Sequence, residues 1–578
     1  METDFLKDLN AQQQEAVKQT DGPMIILAGA GSGKTRVLTY KVLYLIRVKG
    51  VAPDNILMVT FTNKAANEMK ERVQESLSQL STLGSQPTIA TFHALCAKIL
   101  RIEGKYIGLT SRFIIYDTQD SIDLIKLAME KLGLSPKEFK PSSMLTTISQ
   151  AKNQLISAGD YISFARGHFQ ETVARVYPLY QKLLQENDAV DFDDLMLSVI
   201  ALFQKNPTIL EKYQNKFRYI LIDEYQDTNH AQYLLSKLLA KKYQNVCVVG
   251  DFSQSIYSWR GANFQNLVTF EQDFKNTKTF SLEQNYRSTQ KILDSAYAVI
   301  SKNTSHPVLK LWTNQSGGDN ITIYEARNEQ DEAEFILRNI TSTNDLRNIA
   351  VLYRTNAQSR VLEEVFLHHG VPYVLVGGTR FYERKEVKDV LSYLRILSNP
   401  RDSVSEKRIQ KLGKGRYAKF LDFAENVKDK LTEMDTIDIL DRVLKATDYL
   451  ALYDEEDPDD RARLENIKEM RSVAIAFPDL SNFLENVALV EQEYPSALIR
   501  EGTPAGSVDE KTNAITLMTL HAAKGLEFPI VFMIGMEEGL FPHSRSLMDR
   551  NELEEERRLC YVGMTRAKNK LYLTYARK

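Results

Sequence analysis

Short apolar runs recur at α/β spacing through the first third of the chain, at Met24 to Ala28, Ile56 to Thr60 and Thr88 to Thr91, and a helical pattern follows each. Such runs, bounded by turn residues, predict strands covered on both faces, as in a parallel sheet. From Ile102 to Phe217 the strand signal vanishes and the pattern reads almost wholly helical; strands return at Tyr219 to Asp223, Asn245 to Gly250 and Lys278 to Leu282. A second series begins at Ile321 to Tyr324, Ile349 to Tyr353 and Tyr373 to Val376. It breaks off near Pro400 and resumes at Ile515 to Thr519, Ile530 to Ile534 and Lys570 to Thr574. Between those halves, Arg401 to Lys511 is again helical, with loop signals at Asp454 to Pro458 and Glu501 to Gly506. The pattern predicts an α/β chain of two cores with parallel sheets, each interrupted by a mainly helical insertion. Boundaries follow at 1–100 with 200–283 for the first core, 101–199 for its insertion, 284–400 with 512–578 for the second core, and 401–511 for a second insertion.

Composition changes this picture little. A chain of 578 residues with 43% hydrophobic content can bury several cores, and length alone suggests about three or four domains. No run reaches the eighteen apolar residues of a membrane span, and Met1 to Phe5 lacks a basic then apolar leader, so a cytoplasmic protein off the membrane is expected. Cys96, Cys247 and Cys560 lie far apart within apolar runs and read as buried thiols. A net charge of −3 does not advertise a polyanion partner, so any such contact must come from local patches. One candidate is the basic run Arg401 to Lys419, which a solvated helical face explains as well as a binding surface does.

The most informative chemistry lies at Ala28-Gly29-Ala30-Gly31-Ser32-Gly33-Lys34-Thr35, between a predicted strand and a predicted helix. It is a phosphate-binding loop: its glycines let backbone N–H groups converge on nucleotide phosphates, and the helix adds the positive end of its dipole. Lys34 is placed to reach the β/γ-phosphates and the Thr35 hydroxyl to ligate Mg2+. Ala28 stands where the strict pattern has Gly, a small departure.

Such a loop needs an acidic partner, and Asp223-Glu224 at the end of an apolar strand supplies one. Asp223 is expected to hold Mg2+ through water, and Glu224 to orient and deprotonate the attacking water. Gln254, just beyond another strand, is placed to sense the γ-phosphate, with the flat faces of Tyr257 and Trp259 a few residues on. A polar sensor joined to aromatics suits the coupling of ATP to a stacked base, although an isolated Trp is more often core.

These blocks, in this order, closely resemble the UvrD/PcrA/Rep group of superfamily 1A DNA helicases. Further matches are Leu9 to Gln13, Thr60-Phe61-Thr-Asn63-Lys64, Thr91-Phe92-His93, Asp191-Phe192-Asp-Asp-Leu195 and Gln284-Asn285-Tyr286-Arg287-Ser288. In the second core they are Tyr353-Arg354-Thr-Asn356, Thr519 to Phe528 around His521 and Lys524, and Tyr561 to Ala567. The resemblance covers nearly the whole chain and implies two RecA-like P-loop NTPase cores. It implies that Gln13 reads the adenine edge, that Arg36 and Tyr286 sandwich the base, and that Glu527 accepts from the ribose. Arg287 and Arg566 are expected to reach the γ-phosphate from across a cleft. Phe61, Phe192, Tyr257 and Trp259 are expected to stack on single-stranded DNA, with Asn63, Thr91, His93, Arg260, Arg354, Asn356, His521 and His543 adding backbone or base contacts.

The expected function is an ATP-dependent 3′ to 5′ DNA helicase of repair or replication restart, acting on single strands and single/double-strand junctions as a monomer or weak dimer. Two departures bear on it. The second insertion is short, and Leu412 to Ala418 stands where a Gly-Ile-Gly hairpin usually grips duplex DNA, with Gly413 and Gly415 keeping at most a version of it. The sequence ends at Lys578, soon after Arg566, so docking of RNA polymerase through a C-terminal tail is not expected. Rival readings are a translocase that strips proteins from single strands, a single-strand binding module with a decayed ATP site, and a metabolic P-loop kinase.

Overall fold

The computed structural model describes residues 4–77, 85–315, 317–340, 345–376, 381–400, 402–428, 430–484, 487 and 513–577. Arg401 and the loop signal at Glu501 to Gly506 lie outside them. Two compact units emerge, Met1–Arg287 with Tyr297–Ser316, and Ser288–Ala296 with Gly317–Lys578.

In the first unit the strands are β1 (Met24–Ala28), β2 (Ile56–Thr60), β3 (Thr88–Thr91), β4 (Ile114–Ile115), β5 (Ala189–Val190), β6 (Tyr219–Ile222), β7 (Val246–Gly250) and β8 (Lys278–Leu282). Six of them form one parallel sheet in the order β3-β2-β6-β7-β1-β8. Their near-continuous apolar runs are buried because helices cover both faces, as the α/β pattern requires. The insertion is helical, at Thr118–Lys131, Pro141–Asn153, Gly167–Glu186 and Phe192–Lys205, with Ile125, Met144, Val173, Tyr177 and Tyr180 in its core. The two-residue strands β4 and β5 pair where the chain enters and leaves it; they are too short to leave a period-2 signal.

The second unit carries β9 (Thr322–Ala326), β10 (Ile349–Tyr353), β11 (Tyr373–Val376), β12 (Ile515–Thr519), β13 (Phe528–Met533) and β14 (Ala567–Ala576). They too form a parallel sheet, in the order β11-β12-β10-β13-β14-β9. Helices Ser403–Gln410, Lys414–Val427, Thr436–Thr447 and Pro458–Ala476 make its insertion. Val351 and Leu517 of the sheet share one buried core with Phe420, Val443 and Met470 of those helices.

Two expectations change. Residues 284–287 and 297–316 belong to the first unit and not to the second core; at 284–287 Asn285 Nδ2 donates to the Ala30 carbonyl (2.6 Å) and the Tyr286 N–H to that of Gly31 (2.9 Å). Gly413 and Gly415 form no hairpin: Gly413 caps the helix Lys414–Val427 and Gly415 lies in its first turn. Of the basic run, Arg408 pairs with Asp389 (2.6 Å) and Arg416 donates to the Leu412 and Asp448 carbonyls, while Lys407, Lys411, Lys414 and Lys419 are exposed.

Candidate functional site

Strand order assembles the first half of the site. Neighbouring strands β6, β7 and β1 end together, in register Ile222↔Val248 and Leu27↔Gly250, so Asp223-Glu224, Asp251 to Gln254 and the loop Gly29 to Gly33 meet at one carboxyl edge. That edge is where ligands bind in open α/β sheets.

The loop is shaped for an anion. Gly31 and Gly33 have φ of +67° and +85°, which a side chain rarely adopts, and a Cβ on Gly31 would sit 2.6 Å from Asn285 Nδ2. Gly33 precedes the helix Lys34–Arg47 without a side-chain cap, leaving its first N–H groups to a ligand. Ala28 is the fully buried last residue of β1 and not part of the loop, which is why an alanine suffices there. The Lys34 Nζ is buried without a hydrogen-bond partner, 3.4 Å from Glu224 Oε1. A buried ammonium in that position fits phosphate.

The acids are held from below. Asp223 is buried, and its Oδ1 accepts from the Glu224 N–H (2.9 Å). Glu224 has φ +49°, a left-handed conformation costing of order 1–3 kcal/mol, tolerated where surrounding structure enforces it. Gln254 Nε2 donates to Asp251 Oδ2 (2.6 Å), and burial pushes the Asp251 carboxyl above the usual aspartate value while the nearby Lys34 charge pulls it down. Among the described residues no cluster of three His, Cys, Asp or Glu could itself hold a metal. Mg2+ keeps several waters and shares phosphate oxygens, so a site whose protein contribution is as small as one hydroxyl and one carboxylate is compatible with it.

Gln13 is buried under the loop, Nε2 donating to the Ser32 carbonyl (2.9 Å) and Oε1 accepting from the Asn10 N–H (3.1 Å). Asn10 Nδ2 in turn donates to the Tyr286 hydroxyl (2.8 Å), leaving that ring 46% exposed. Arg36 is exposed, its guanidinium 5.6 Å from the Tyr40 ring centroid. Arg287 departs from expectation: it sits on the phosphate loop's own unit, its N–H bonded to Asn285 Oδ1 (2.8 Å), and a Cβ on Gly31 would lie 2.8 Å from its own Cβ.

The aromatic track lies on the same unit. The Phe61 ring follows β2 and stacks on Tyr257, centroids 5.9 Å apart and planes within 10°. His93, following β3, meets Phe192 edge-on at 5.8 Å, and burial lowers its pKa. Phe192 and Trp259 are 53% and 48% exposed, unlike core aromatics. Thr91 is buried as a helix cap, accepting from the Ala94 N–H (3.2 Å), and its hydroxyl lies 3.5 Å from Asn63 Oδ1. Arg260 lies in the turn after Trp259, and its side chain is outside the described set.

In the second unit the sheet sorts the expected residues by strand end. Glu527 and Arg566 immediately precede the neighbouring strands β13 and β14, the Phe528 N–H donating to the Arg566 carbonyl (2.9 Å). Glu527 pairs with Lys568 (2.7 Å). Arg566 is 2% exposed, its guanidinium donating to the carbonyls of Val562 (2.8 Å) and Leu526 (3.2 Å) and to Thr565 Oγ1 (3.1 Å). At the opposite, carboxyl ends stand Arg354 and Asn356 after β10, His521 after β12 and His543 beyond β13. Arg354 grips Glu556 (Nη2 to Oε1 2.9 Å), whose other oxygen accepts from the His543 N–H, while His543 Nε2 lies 3.0 Å from Glu465 Oε1. Gln226, Asn285 and Glu556 escaped the sequence reading: each acts through a contact distant in sequence, and only the position of the first two inside motif blocks hinted at them.

Residues 9–275 match the UvrD/REP helicase N-terminal domain, and 280–419 with 406–578 match the UvrD-like helicase C-terminal domain. The chain is 46% identical to the ATP-dependent DNA helicase PcrA of Bacillus subtilis (strain 168), over 99% of its own length and 83% of the relative's. It is 44% identical to proteins of the same name from Staphylococcus aureus (strain Mu50) and Staphylococcus epidermidis (strain RP62A), covering 84% of each. The Bacillus alignment spans 621 positions, more than the 578 residues here, so it opens gaps within this chain.

Proposed function

The chain belongs to the UvrD-like family of helicases, and on that premise we propose that it is an ATP-dependent DNA helicase that moves 3′ to 5′ on single-stranded DNA and opens duplex ahead of it, in repair or replication restart. The observation that carries the reading is the buried Lys34 ammonium of a phosphate loop, without a hydrogen-bond partner and 3.4 Å from Glu224, on the same unit as the exposed Phe192 and Trp259 and the partly buried Phe61–Tyr257 stack.

Lys34 and the loop amides bind the β/γ-phosphates, and Tyr286 and Arg36 bracket the base. Thr35 and Asp223 hold Mg2+, which when bound neutralises phosphate charge. Glu224 orients the attacking water and accepts its proton, Gln254 reports on the γ-phosphate, and Arg287 stabilises the charge that develops there. The resemblance assigns Arg566 to the same charge; in the resting second unit its donors are held by Val562, Leu526 and Thr565. Base stacking on each exposed aromatic supplies about 1–3 kcal/mol and tolerates any sequence. Parting one base pair costs on the order of 1.4 kcal/mol, a small load for one hydrolysis step.

Strand displacement on 3′-tailed, 5′-tailed and blunt duplexes tests this. Only the 3′-tailed substrate should open; opening of the 5′-tailed duplex instead would overturn the polarity. A second reading has a specific observation in its favour, the helix that occupies Lys414–Val427 in place of a glycine hairpin. In that case the protein is a translocase that displaces bound proteins with little strand separation. Displacement of a protein block from single strands by a chain that leaves all three duplexes closed would select it.

A further inference from the structure

We infer that Gln226 is the positioning residue that couples the DNA-stacking loop to the hydrolytic carboxylate Glu224. The inference rests on the reading of Glu224 as the base and of Tyr257 and Trp259 as DNA-stacking residues. Gln226 is fully buried and occupies the turn directly after the acids. Its Nε2 donates to Glu224 Oε2 and to Asp227 Oδ2 (3.2 Å). Its Oε1 accepts from the Asp251 N–H (3.0 Å), and its backbone carbonyl accepts from Ser255 Oγ (3.2 Å). The amide orientation is set by these neighbours, since the flipped group would turn its oxygen onto two carboxylates.

Asp251 and Ser255 bracket the segment that holds Gln254, and the same segment runs on without a break into Tyr257 and Trp259. One residue thus ties both ends of the sensor loop to the catalytic glutamate, Asp251 through its side chain and Ser255 through its backbone carbonyl, within a single compact unit. A carboxamide suits the position where a charged side chain does not: a carboxylate cannot donate to Glu224, and an ammonium cannot accept from Asp251. There is no slack either, because a Cβ on Gly250 would lie 2.8 Å from Gln226 Oε1. A base stacking on Trp259 or Tyr257 that displaces this loop therefore moves the Asp251 N–H, Gln226 and the Glu224 carboxylate together. Glu224 is held in a left-handed backbone conformation, with Lys34 3.4 Å from its other oxygen.

The test is a double-mutant cycle in the full chain between Gln226→Met, which keeps volume and removes all three amide hydrogen bonds, and Trp259→Ala. ATP hydrolysis is read with and without saturating oligo-dT, beside ATP KM, oligo-dT affinity and thermal midpoint. Gln226→Met should lower kcat at saturating DNA by about ten- to a hundred-fold, with KM and DNA affinity within about two-fold. The losses of DNA stimulation in the two single variants should be non-additive in the double, and Gln226→Asn should recover part of the loss. Additive effects, or a fall in kcat matched by losses of DNA affinity and thermal midpoint, would overturn the coupling and leave a structural glutamine. Stimulation intact in Gln226→Met also overturns it. An unsubstituted chain without DNA stimulation would defeat the helicase reading and the coupling together.

Discussion

Lys34→Ala is expected to lower DNA-stimulated ATP hydrolysis by about a thousand-fold, because the loop then loses its only side-chain charge aimed at the transferring phosphate. The ammonium is already desolvated and lacks a hydrogen-bond partner in the resting chain, so its stabilisation is realised on the nucleotide. Glu224→Gln should lose turnover to a similar degree for a different reason. It is isosteric and keeps the Lys34 side chain, but it removes the proton acceptor and the carboxylate charge 3.4 Å from Lys34. The two variants are separated by nucleotide affinity, measured with a fluorescent ATP analogue beside phosphate release. Lys34→Ala should weaken binding as well as turnover, whereas Glu224→Gln should bind at least as well as the parent. Turnover within tenfold of the parent in either variant would remove that residue from the reaction.

Lys152→Met should cost about 3–5 kcal/mol of stability near neutral pH. Lys152 is buried in the first insertion with its Nζ 2.5 Å from Asp191 Oδ2 and 2.8 Å from Asp194 Oδ2. Removing it leaves two buried carboxylates without their cation. These aspartates begin the helix that carries Phe192, so the ion triad also orients a stacking residue. The pH dependence has a definite sign. Burial first, and neighbouring aspartates after it, push Asp193 up to about 6 and Asp194 up to about 7, from a usual value of 3.8. A carboxyl whose folded pKa is raised contributes stability at low pH that is lost as pH rises through the folded value. These two groups therefore favour the folded chain below about pH 4 and lose that contribution progressively up to about pH 7. Asp191 runs the other way: Lys152 holds it below the usual value against the effect of burial, so its contribution is lost only as pH falls toward acid. Without Lys152 both Asp191 and Asp194 shift upward, so the deficit of the variant should be larger at pH 8 than at pH 5. Urea unfolding at the two pH values reads this, and an equal or larger deficit at pH 5 would contradict the triad account.

The same buried triad shows where sequence reasoning ends. Asp191 to Leu195 was legible as a motif, but Lys152 lies 39 residues earlier, within an ordinary amphipathic helix. Nothing in its own neighbourhood distinguishes it from a solvated lysine. Gln226 was likewise visible as a letter in the acidic motif, yet its partner Asp251 comes from the next strand. The sequence motif alone places Arg287 across a cleft, whereas Asn285 and Tyr286 tie it to the phosphate loop's own unit.

Sequence alone was enough for whatever depends on neighbours along the chain: the strand, loop and helix of the phosphate site, the acids at a strand end, and the alternation of sheet cores with helical insertions. Hydrophobic period and turn chemistry are local, and they survive without knowledge of the partner strands. Tertiary structure alone decided the order β6-β7-β1, which brings Asp223, Asp251 and Lys34 to one edge. It also decided the sorting of Arg566 and Arg354 to opposite strand ends, and the packing that leaves Lys34 without a hydrogen bond, 3.4 Å from Glu224, while Arg354 is gripped by Glu556. These outcomes depend on which distant strands share hydrogen bonds and which charges lose water together, and both are properties of the packed chain.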